Sequence, residues 1–189
     1  KLVSLDIKSF VYSSSAAVYG DPGMKLCKES DPCNPISSYG GSKLMMERVL
    51  KDYHRAYGIS SVGLRYFNAA GADPEGEIGE RHKPETHLVP IILEAILNEE
   101  KTVPVYGVDY ETADGTCVRD YVHVMDLADA HFRALQYLER GGDNQECNLG
   151  LGQGFSVNEI IQSAERVTGC KIVGCKAPKR AGDPPVLIA

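Results

Sequence analysis

The strongest constraint on the fold is a regular alternation along the chain of short, strand-like segments with longer amphipathic segments. Runs rich in β-branched and aromatic residues at positions 10–13 and 61–67 predict buried strands. Apolar residues recur with helical spacing between positions 39 and 57, and again between positions 127 and 138. Strands and helices that alternate in this way form parallel βα units, so the sequence predicts an α/β fold.

Local end signals place the boundaries of several predicted elements. Gly58 should end the first helix, and Asp126 should cap the second. Ser156 and Glu159 match a capping box for a third helix at 157–168. The remaining predicted elements are a helix at 88–98 and strands at 103–107, 146–150 and 171–175.

Composition and charge narrow the class of protein. The chain has 189 residues, of which 43% are hydrophobic and 24% charged, with a net charge of −6. No basic stretch stands out that could bind nucleic acid or an anionic membrane. The longest apolar run, at 88–97, contains Glu94 and is too short to span a bilayer, and the opening KLVSLDIKSF lacks the layout of a signal peptide. We expect a soluble, cytoplasmic protein with neither nucleic acid nor membrane as a partner.

Cysteine and histidine present no evident metal site in the sequence. The six cysteines include no C-x-x-C pair, so free thiols in a reducing compartment are expected. His82 and His87 lie in a loop-like segment with no ligand partner at a metal-binding spacing. We therefore predict that no metal is bound.

The glycines of GLGQG, at 150–154, look like a dinucleotide-binding loop between a strand and a helix. Their spacing departs from G-x-G-x-x-G, and no acidic residue ends a second strand about 20 residues later. We interpret these glycines as a turn that leads into the capped helix.

Tyr39 and Lys43 are four residues apart, so on a helix they share one face with roughly 6 Å between their Cβ atoms. Such pairs are common on helix surfaces and are weak evidence of a site when taken alone. A free phenol titrates near pH ~10, and a neighbouring ammonium group favours the phenolate. Tyr39 could therefore serve as a general base near neutral pH.

Longer motifs surround this pair, namely VYGD (18–21), SKLMMERVL (42–50), LRYFNAAGA (64–72), DGTCVRDYVHVMDLADAH (114–131) and NLGLGQGFSV (148–157). In order and spacing they resemble the extended short-chain dehydrogenase/reductase superfamily, and most closely its UDP-glucose 4-epimerase branch. The resemblance covers essentially the whole chain. It implies part of a Rossmann-type doubly wound parallel sheet plus a smaller α/β substrate-binding domain.

The same resemblance divides the chain into two domains. Residues 1–68 would form the later part of an NAD-binding Rossmann domain, and residues 69–189 mostly the UDP-sugar domain, with 117–150 partly returning to the Rossmann sheet. In the family a glycine-rich dinucleotide loop precedes the catalytic serine, which here is already residue 15. We therefore expect an internal fragment of a longer enzyme, which neither holds NAD nor turns over substrate alone.

Catalysis is assigned by the resemblance to Ser15, Tyr39 and Lys43. Tyr39 would take the proton of the sugar C4 hydroxyl while tightly bound NAD accepts the C4 hydride. The 4-keto sugar would then present its other face, and hydride and proton would return with inverted configuration. Ser15 would share the hydroxyl proton, although Ser13 faces the same way on a strand and Ser14 is close in sequence.

Cofactor binding is implied for the same Ser15, Tyr39 and Lys43, and for Tyr66 or Phe67. Lys43 would hydrogen-bond the ribose hydroxyls of NAD, and one of the two aromatic side chains would lie against the nicotinamide. A strand aromatic is also an ordinary core residue, so this assignment depends on the resemblance.

Substrate binding is implied for seven residues: Asn68, Leu88, Val105, Tyr106, Arg119, Arg180 and Asp183. Arg119 and Arg180 would contact the UDP diphosphate, a role suited to planar guanidinium groups, and Asp183 a nucleotide ribose. The alternative for Arg119 is an ion pair with Asp120. Leu187 falls where the family lines its sugar pocket, and its size leaves an N-acetyl group possible.

The implied activity is NAD-dependent interconversion of UDP-glucose and UDP-galactose, an isomerase reaction of carbohydrate metabolism. The alternatives are an epimerase for UDP-N-acetylhexosamines or UDP-pentoses, or a non-catalytic sugar-nucleotide-binding module. The helix at 39–57 has more apolar residues than one buried face needs, and in the superfamily it packs against its twin. We therefore also expect a homodimer through this helix.

Overall fold

The structure, a computed structural model, describes residues 1–98 and 101–189. Its helices are α1 (Ser38–Tyr57), α2 (Leu88–Leu97), α3 (Val124–Glu139) and α4 (Val157–Thr168). Its strands are β1 (Ser9–Ser15), β2 (Ser60–Tyr66), β3 (Asn68–Ala70), β4 (Val103–Tyr106), β5 (Val118–His123), β6 (Gln145–Leu149), β7 (Gly154–Ser156), β8 (Gly174–Ala177) and β9 (Val186–Leu187). Strands and helices alternate through most of this order, which confirms the predicted α/β class.

The first sheet joins β1, β2 and β6 in parallel. Successive side chains of a strand point to opposite faces of its sheet. On β2, Val62 and Leu64 share an apolar cluster with Ala134 of α3. Arg65 points to the other face, where it reaches Glu47 of α1. Helices therefore cover both faces of this parallel sheet, as predicted for a doubly wound arrangement.

The rest of the chain forms a four-stranded sheet and a two-stranded sheet. Strand β5 pairs in parallel with β3 and β9, and β4 pairs in parallel with β8. The exception to the predicted parallel order is β7, a three-residue strand that runs antiparallel to β5. A core shared by α2, α4 and these strands includes Ile92, Ala95, Val103, Val105, Val157, Ile161 and Ile172.

Two of the three predicted helix ends are confirmed. Gly58 ends α1 in the left-handed conformation, with φ +66°. Ser156 and Glu159 form both hydrogen bonds of the capping box that begins α4. Asp126 is not the cap of α3, however, because the helix begins two residues earlier and the His123 side chain accepts the Met125 N–H.

The GLGQG segment is held by the buried carboxylate of Asp120. That carboxylate accepts N–H groups from Leu151 at 2.9 Å and Gly152 at 3.0 Å. A Cβ atom at Gly150 would lie 2.5 Å from Oδ2 of Asp120, and Gly152 has φ +70°. Close packing and a left-handed turn thus explain these glycines without a bound phosphate.

Among residues 1–98 and 101–189, no helix combines the length and apolar character that crossing a membrane requires.

Candidate active site

A cavity of about 880 Å³ lies beyond the carboxyl end of β2, between the first sheet and the other two. This position, outside the carboxyl ends of parallel strands, is where open α/β sheets bind ligands, and the volume suits a small molecule. The cavity collects most of the side chains that were predicted for the site: Tyr39, Tyr66, Phe67, Asn68, Leu88, Tyr106, Arg119, Arg180 and Asp183. These residues are distant in the sequence, and the fold brings them to one cavity.

Tyr39 stands at the start of α1, with 54% of its surface exposed. Ser37 caps this helix by accepting the Gly40 N–H at 3.1 Å. A Cβ at Gly40 would collide with the carbonyl of Ala17, so glycine allows the first turn of α1 to approach the turn after β1. The phenol is thereby brought beside the end of β1.

Lys43 follows one turn later and lies beneath the tyrosine. Its Nζ is 5.5 Å from the Tyr39 ring centroid and 5.2 Å from that of Tyr12. It donates a 2.8 Å hydrogen bond to the carbonyl of Ser13, which anchors the ammonium group to β1. The arrangement places a fixed positive charge next to the exposed phenol.

Two other tyrosines near the site ionise less readily than a free phenol. Burial, followed by the neighbouring Tyr39, raises the pKa of Tyr12. Burial also raises the pKa of Tyr121, which lines the cavity, to about 12. Both phenols therefore stay protonated at neutral pH and do not present a phenolate to a ligand.

The three serines at the end of β1 differ in their partners. Ser14 is buried and donates to Oε1 of Glu47 at 2.6 Å, and the Ser13 hydroxyl lies 3.2 Å from Nε2 of His131. The Ser15 hydroxyl accepts the Ala17 N–H at 3.1 Å, which leaves its proton to be donated. This difference favours Ser15 over its neighbours as a hydrogen-bond donor to a ligand.

Two arginines, Arg119 and Arg180, also line the cavity. Arg119 is buried on β5, where its guanidinium pairs with the carboxylate of Asp183 and donates to the carbonyl of Val118 at 2.8 Å. The guanidinium carbon of Arg180 lies 3.9 Å from the Tyr106 ring centroid. The alternative ion pair of Arg119 with Asp120 is wrong, because backbone N–H groups occupy the Asp120 carboxylate.

Three predicted site residues do not line the cavity, namely Ser15, Lys43 and Val105. Val105 lies in the core, because side chains alternate along β4 and its neighbours Pro104 and Tyr106 take the cavity face. Leu187 is also buried, in a cluster with Phe67.

A group of side chains at the cavity rim was not predicted from the sequence. Glu80, His82 and His87 line the cavity, and Glu85 joins them. The ligand atoms of all four lie within 4.8 Å of one another. The prediction that His82 and His87 have no metal-ligand partner nearby is therefore wrong. The segment GERHKPETH contains all four residues, but only the folded loop brings its glutamates close to its histidines.

Comparisons with known proteins agree on one family. The profile of the NAD dependent epimerase/dehydratase family matches residues 2–150. The chain is 50% identical over 189 residues to a UDP-glucose 4-epimerase of Halalkalibacterium halodurans, covering all of this chain and 57% of that protein. The chain therefore spans somewhat more than half the length of this relative.

Solved structures extend the similarity to the fold. The UDP-glucose 4-epimerase of Brucella ovis in complex with NAD superposes with a TM-score of 0.93 at 48% identity, over 100% of this chain and 58% of that one. The enzyme of Bifidobacterium longum in complex with NAD+ and UDP gives 0.94 at 38% identity, over 100% and 57%.

Proposed function

Because the chain belongs to the NAD dependent epimerase/dehydratase family, we propose that the whole protein interconverts UDP-glucose and UDP-galactose by inverting C4 of the sugar. The observation that carries this proposal is the cavity itself. It brings together an exposed phenol beside an anchored ammonium group and two arginines. The names of the relatives, which are UDP-glucose 4-epimerases, support the same activity.

In this proposal Tyr39 takes the proton of the sugar C4 hydroxyl and later returns it. Lys43 holds positive charge beside the phenolate, and Ser15 donates a hydrogen bond to the same sugar oxygen while keeping its proton. The sugar passes through a C4 ketone, turns about its link to the diphosphate and presents its other face to Tyr39. General acid–base help of this kind contributes typically ~10²–10⁴-fold to a rate.

The residues at the phenol side fit the nicotinamide end of NAD. Lys43 uses one of its three N–H donors on the Ser13 carbonyl, so others are available for ribose hydroxyls. Tyr66 and Phe67, which line the cavity, supply flat apolar surface for the nicotinamide ring. When bound, NAD supplies the acceptor for the C4 hydride.

The arginines and their neighbours in the cavity fit the nucleotide. Arg119 and Arg180 would bind the diphosphate by charge-assisted hydrogen bonds, with Asp183 accepting from a ribose hydroxyl. Asn68 would donate to the diphosphate from the start of β3. Leu88 and Tyr106, both at the cavity wall, would hold the uracil ring. Val105 supports this wall from the core and does not touch the ligand.

An assay of the whole protein against UDP-glucose, UDP-galactose, their N-acetylated forms and UDP-pentoses tests the proposal. We expect the highest kcat/KM for the UDP-glucose pair. Faster turnover of an N-acetylated pair would move the assignment to a UDP-N-acetylhexosamine epimerase. Binding of UDP-sugars with no turnover of any pair would leave only a sugar-nucleotide-binding function.

Removal of the Arg119 side chain should weaken substrate binding. We expect Arg119→Ala to raise the Kd for UDP-glucose by about 10- to 100-fold, because one charge-assisted interaction with the diphosphate is lost. Isothermal titration calorimetry measures this change, and Arg133→Ala, on the exposed surface of α3, is the control that should bind normally. An unchanged Kd would leave Arg119 with only its ion pair to Asp183.

We also infer that the division into domains at residue 68 holds for the whole protein. The pairing of β6 with β2 supports the return of part of 117–150 to the first sheet. All six cysteines are free thiols, which suits the proposed cytoplasmic location.

The exposed face of α1 is proposed as a homodimer contact. Met45 is 66% exposed on this helix, and Val49, Tyr53 and Tyr57 continue the apolar strip. Light scattering should give twice the mass of one chain for the whole protein, and Met45→Glu should give monomers. Met24→Glu, at an equally exposed methionine outside α1, is the matched control and should leave the dimer intact. A monomeric unmodified protein would contradict the assignment.

A further inference from the structure

A second cluster of chemically active side chains lies at the rim of the cavity, outside the proposed catalytic groups. It belongs to the loop between β3 and α2 and consists of Glu80, His82, Glu85 and His87, which we name the rim cluster. Three of the four are exposed, so a dissolved ion can reach them. The proposed epimerase reaction uses none of them.

The two distances from His82 within the rim cluster are close to those between ligands that share a small metal ion. Nδ1 of His82 lies 3.2 Å from Oε1 of Glu80 and 3.5 Å from Oε2 of Glu85. Nδ1 of His87 contacts Glu80 and lies 3.9 Å from Oε1 of Glu85. Ligands at zinc-type bond lengths on a tetrahedron are about 3.3 Å apart.

Backbone contacts hold one of the carboxylates in place. Oε1 of Glu85 accepts the N–H groups of Thr86 at 2.8 Å and His87 at 2.9 Å. Oε2 of the same carboxylate is thereby turned to His82. Such outer hydrogen bonds orient ligands and are usual around protein metal sites.

The ligand types indicate which ion would bind. Two imidazole nitrogens with two carboxylate oxygens suit zinc and similar transition-metal ions, whereas magnesium and calcium take oxygen ligands. The two carboxylates carry the charge that neutralises a divalent cation. We propose that the rim cluster binds one divalent ion of the zinc class, which fastens the loop to the start of α2 at the cavity rim.

Calorimetric titration with Zn²⁺, without NAD or UDP-sugar, tests this site independently of the epimerase activity. The purified protein should carry Cys170→Ser and Cys175→Ser, since these exposed thiols could also bind zinc. We expect one ion per chain with a micromolar or tighter Kd, and at least a tenfold higher Kd in both His82→Ala and His87→Ala. At an ion concentration of 100 times Kd the Tm should rise by about 5–10 °C.

The loss of a metal ligand must be distinguished from the loss of a helix cap and from zinc bound at a distant histidine. His87→Ala removes no helix cap, because the His87 side chain makes no capping hydrogen bond. His54→Ala, on α1, should keep the Kd of the unmodified protein. A Kd above about 100 μM, or affinity that either rim-cluster variant retains, would overturn the proposal. The rim cluster would then be a set of hydrogen bonds between carboxylates and histidines.

Discussion

Tyr39→Phe is expected to lower kcat of the whole protein by about 10²–10⁴-fold and to change the Kd for UDP-glucose little. The substitution keeps the aromatic ring at the mouth of the cavity and removes the oxygen that accepts the C4 proton. The loss falls on kcat because this proton transfer occurs in the transition state, whereas the ring's packing is retained. Steady-state turnover together with calorimetric Kd values measures the two effects separately.

Tyr12→Phe is the matched control for this experiment. Tyr12 also lies near the Lys43 ammonium, at 5.2 Å from Nζ to the ring centroid, but burial raises the pKa of its phenol. We expect its loss to leave kcat within about threefold of normal, as for a single weak contact. If Tyr39→Phe kept near-normal turnover, or if Tyr12→Phe caused the larger loss, Tyr39 would not be the base.

Glu47→Ala is expected to lower the free energy of unfolding by about 3–5 kcal/mol. The Glu47 carboxylate accepts from Nε of Arg65 at 2.9 Å and from Nη2 at 2.7 Å, and both side chains are almost fully buried. Burial opposes the charged form of Arg65, but its hydrogen bonds to Glu47 and Tyr19 outweigh this and raise its pKa. The variant would therefore leave a charged guanidinium buried without its partner.

The same network connects the helix of Tyr39 to the first sheet. Ser14 of β1 donates to Glu47 of α1, and the Tyr19 hydroxyl donates to Asn148 at 2.7 Å. Disruption of the network should thus also reduce turnover, through displacement of α1.

Urea unfolding measures the stability loss, with Asp129→Ala as the control. Asp129 forms an exposed pair with Arg133 at 2.6 Å, and such surface pairs contribute about 0–1 kcal/mol. In the double variant Glu47→Ala/Arg65→Leu the uncompensated charge is gone, so part of the lost stability should return. A loss below about 1 kcal/mol in Glu47→Ala would contradict the expectation from buried ion pairs.

The features that the sequence predicted correctly depend on interactions within a few residues. The end of α1 at Gly58 and the capping box of Ser156 and Glu159 are contacts between residues at most four apart. The alternation of apolar strands and amphipathic helices is likewise a local pattern, and it sufficed for the α/β class. Tyr39 and Lys43 share a face because the helix period places them there.

Contacts between distant parts of the chain could not be predicted in this way. Arg119 pairs with Asp183 and not with the adjacent Asp120, because β5 and the C-terminal segment are neighbours in space alone. Val105 faces the core because α2 and α4 pack on that face of β4. The local pattern of a short strand does not determine which of its faces is buried, because the packing of neighbouring elements decides this.

The rim cluster shows the same limit. Glu80 and His87 are seven residues apart and belong to no regular element that would bring them together, so their spacing in the sequence carries no geometric information. The period of a helix fixes the relative positions of its side chains. The placement of Tyr39 and Lys43 on one helix face could therefore be predicted. Loops and strand pairings take their geometry from the whole fold, which is why the partners of Arg119, the orientation of Val105 and the rim cluster emerged only from the folded chain.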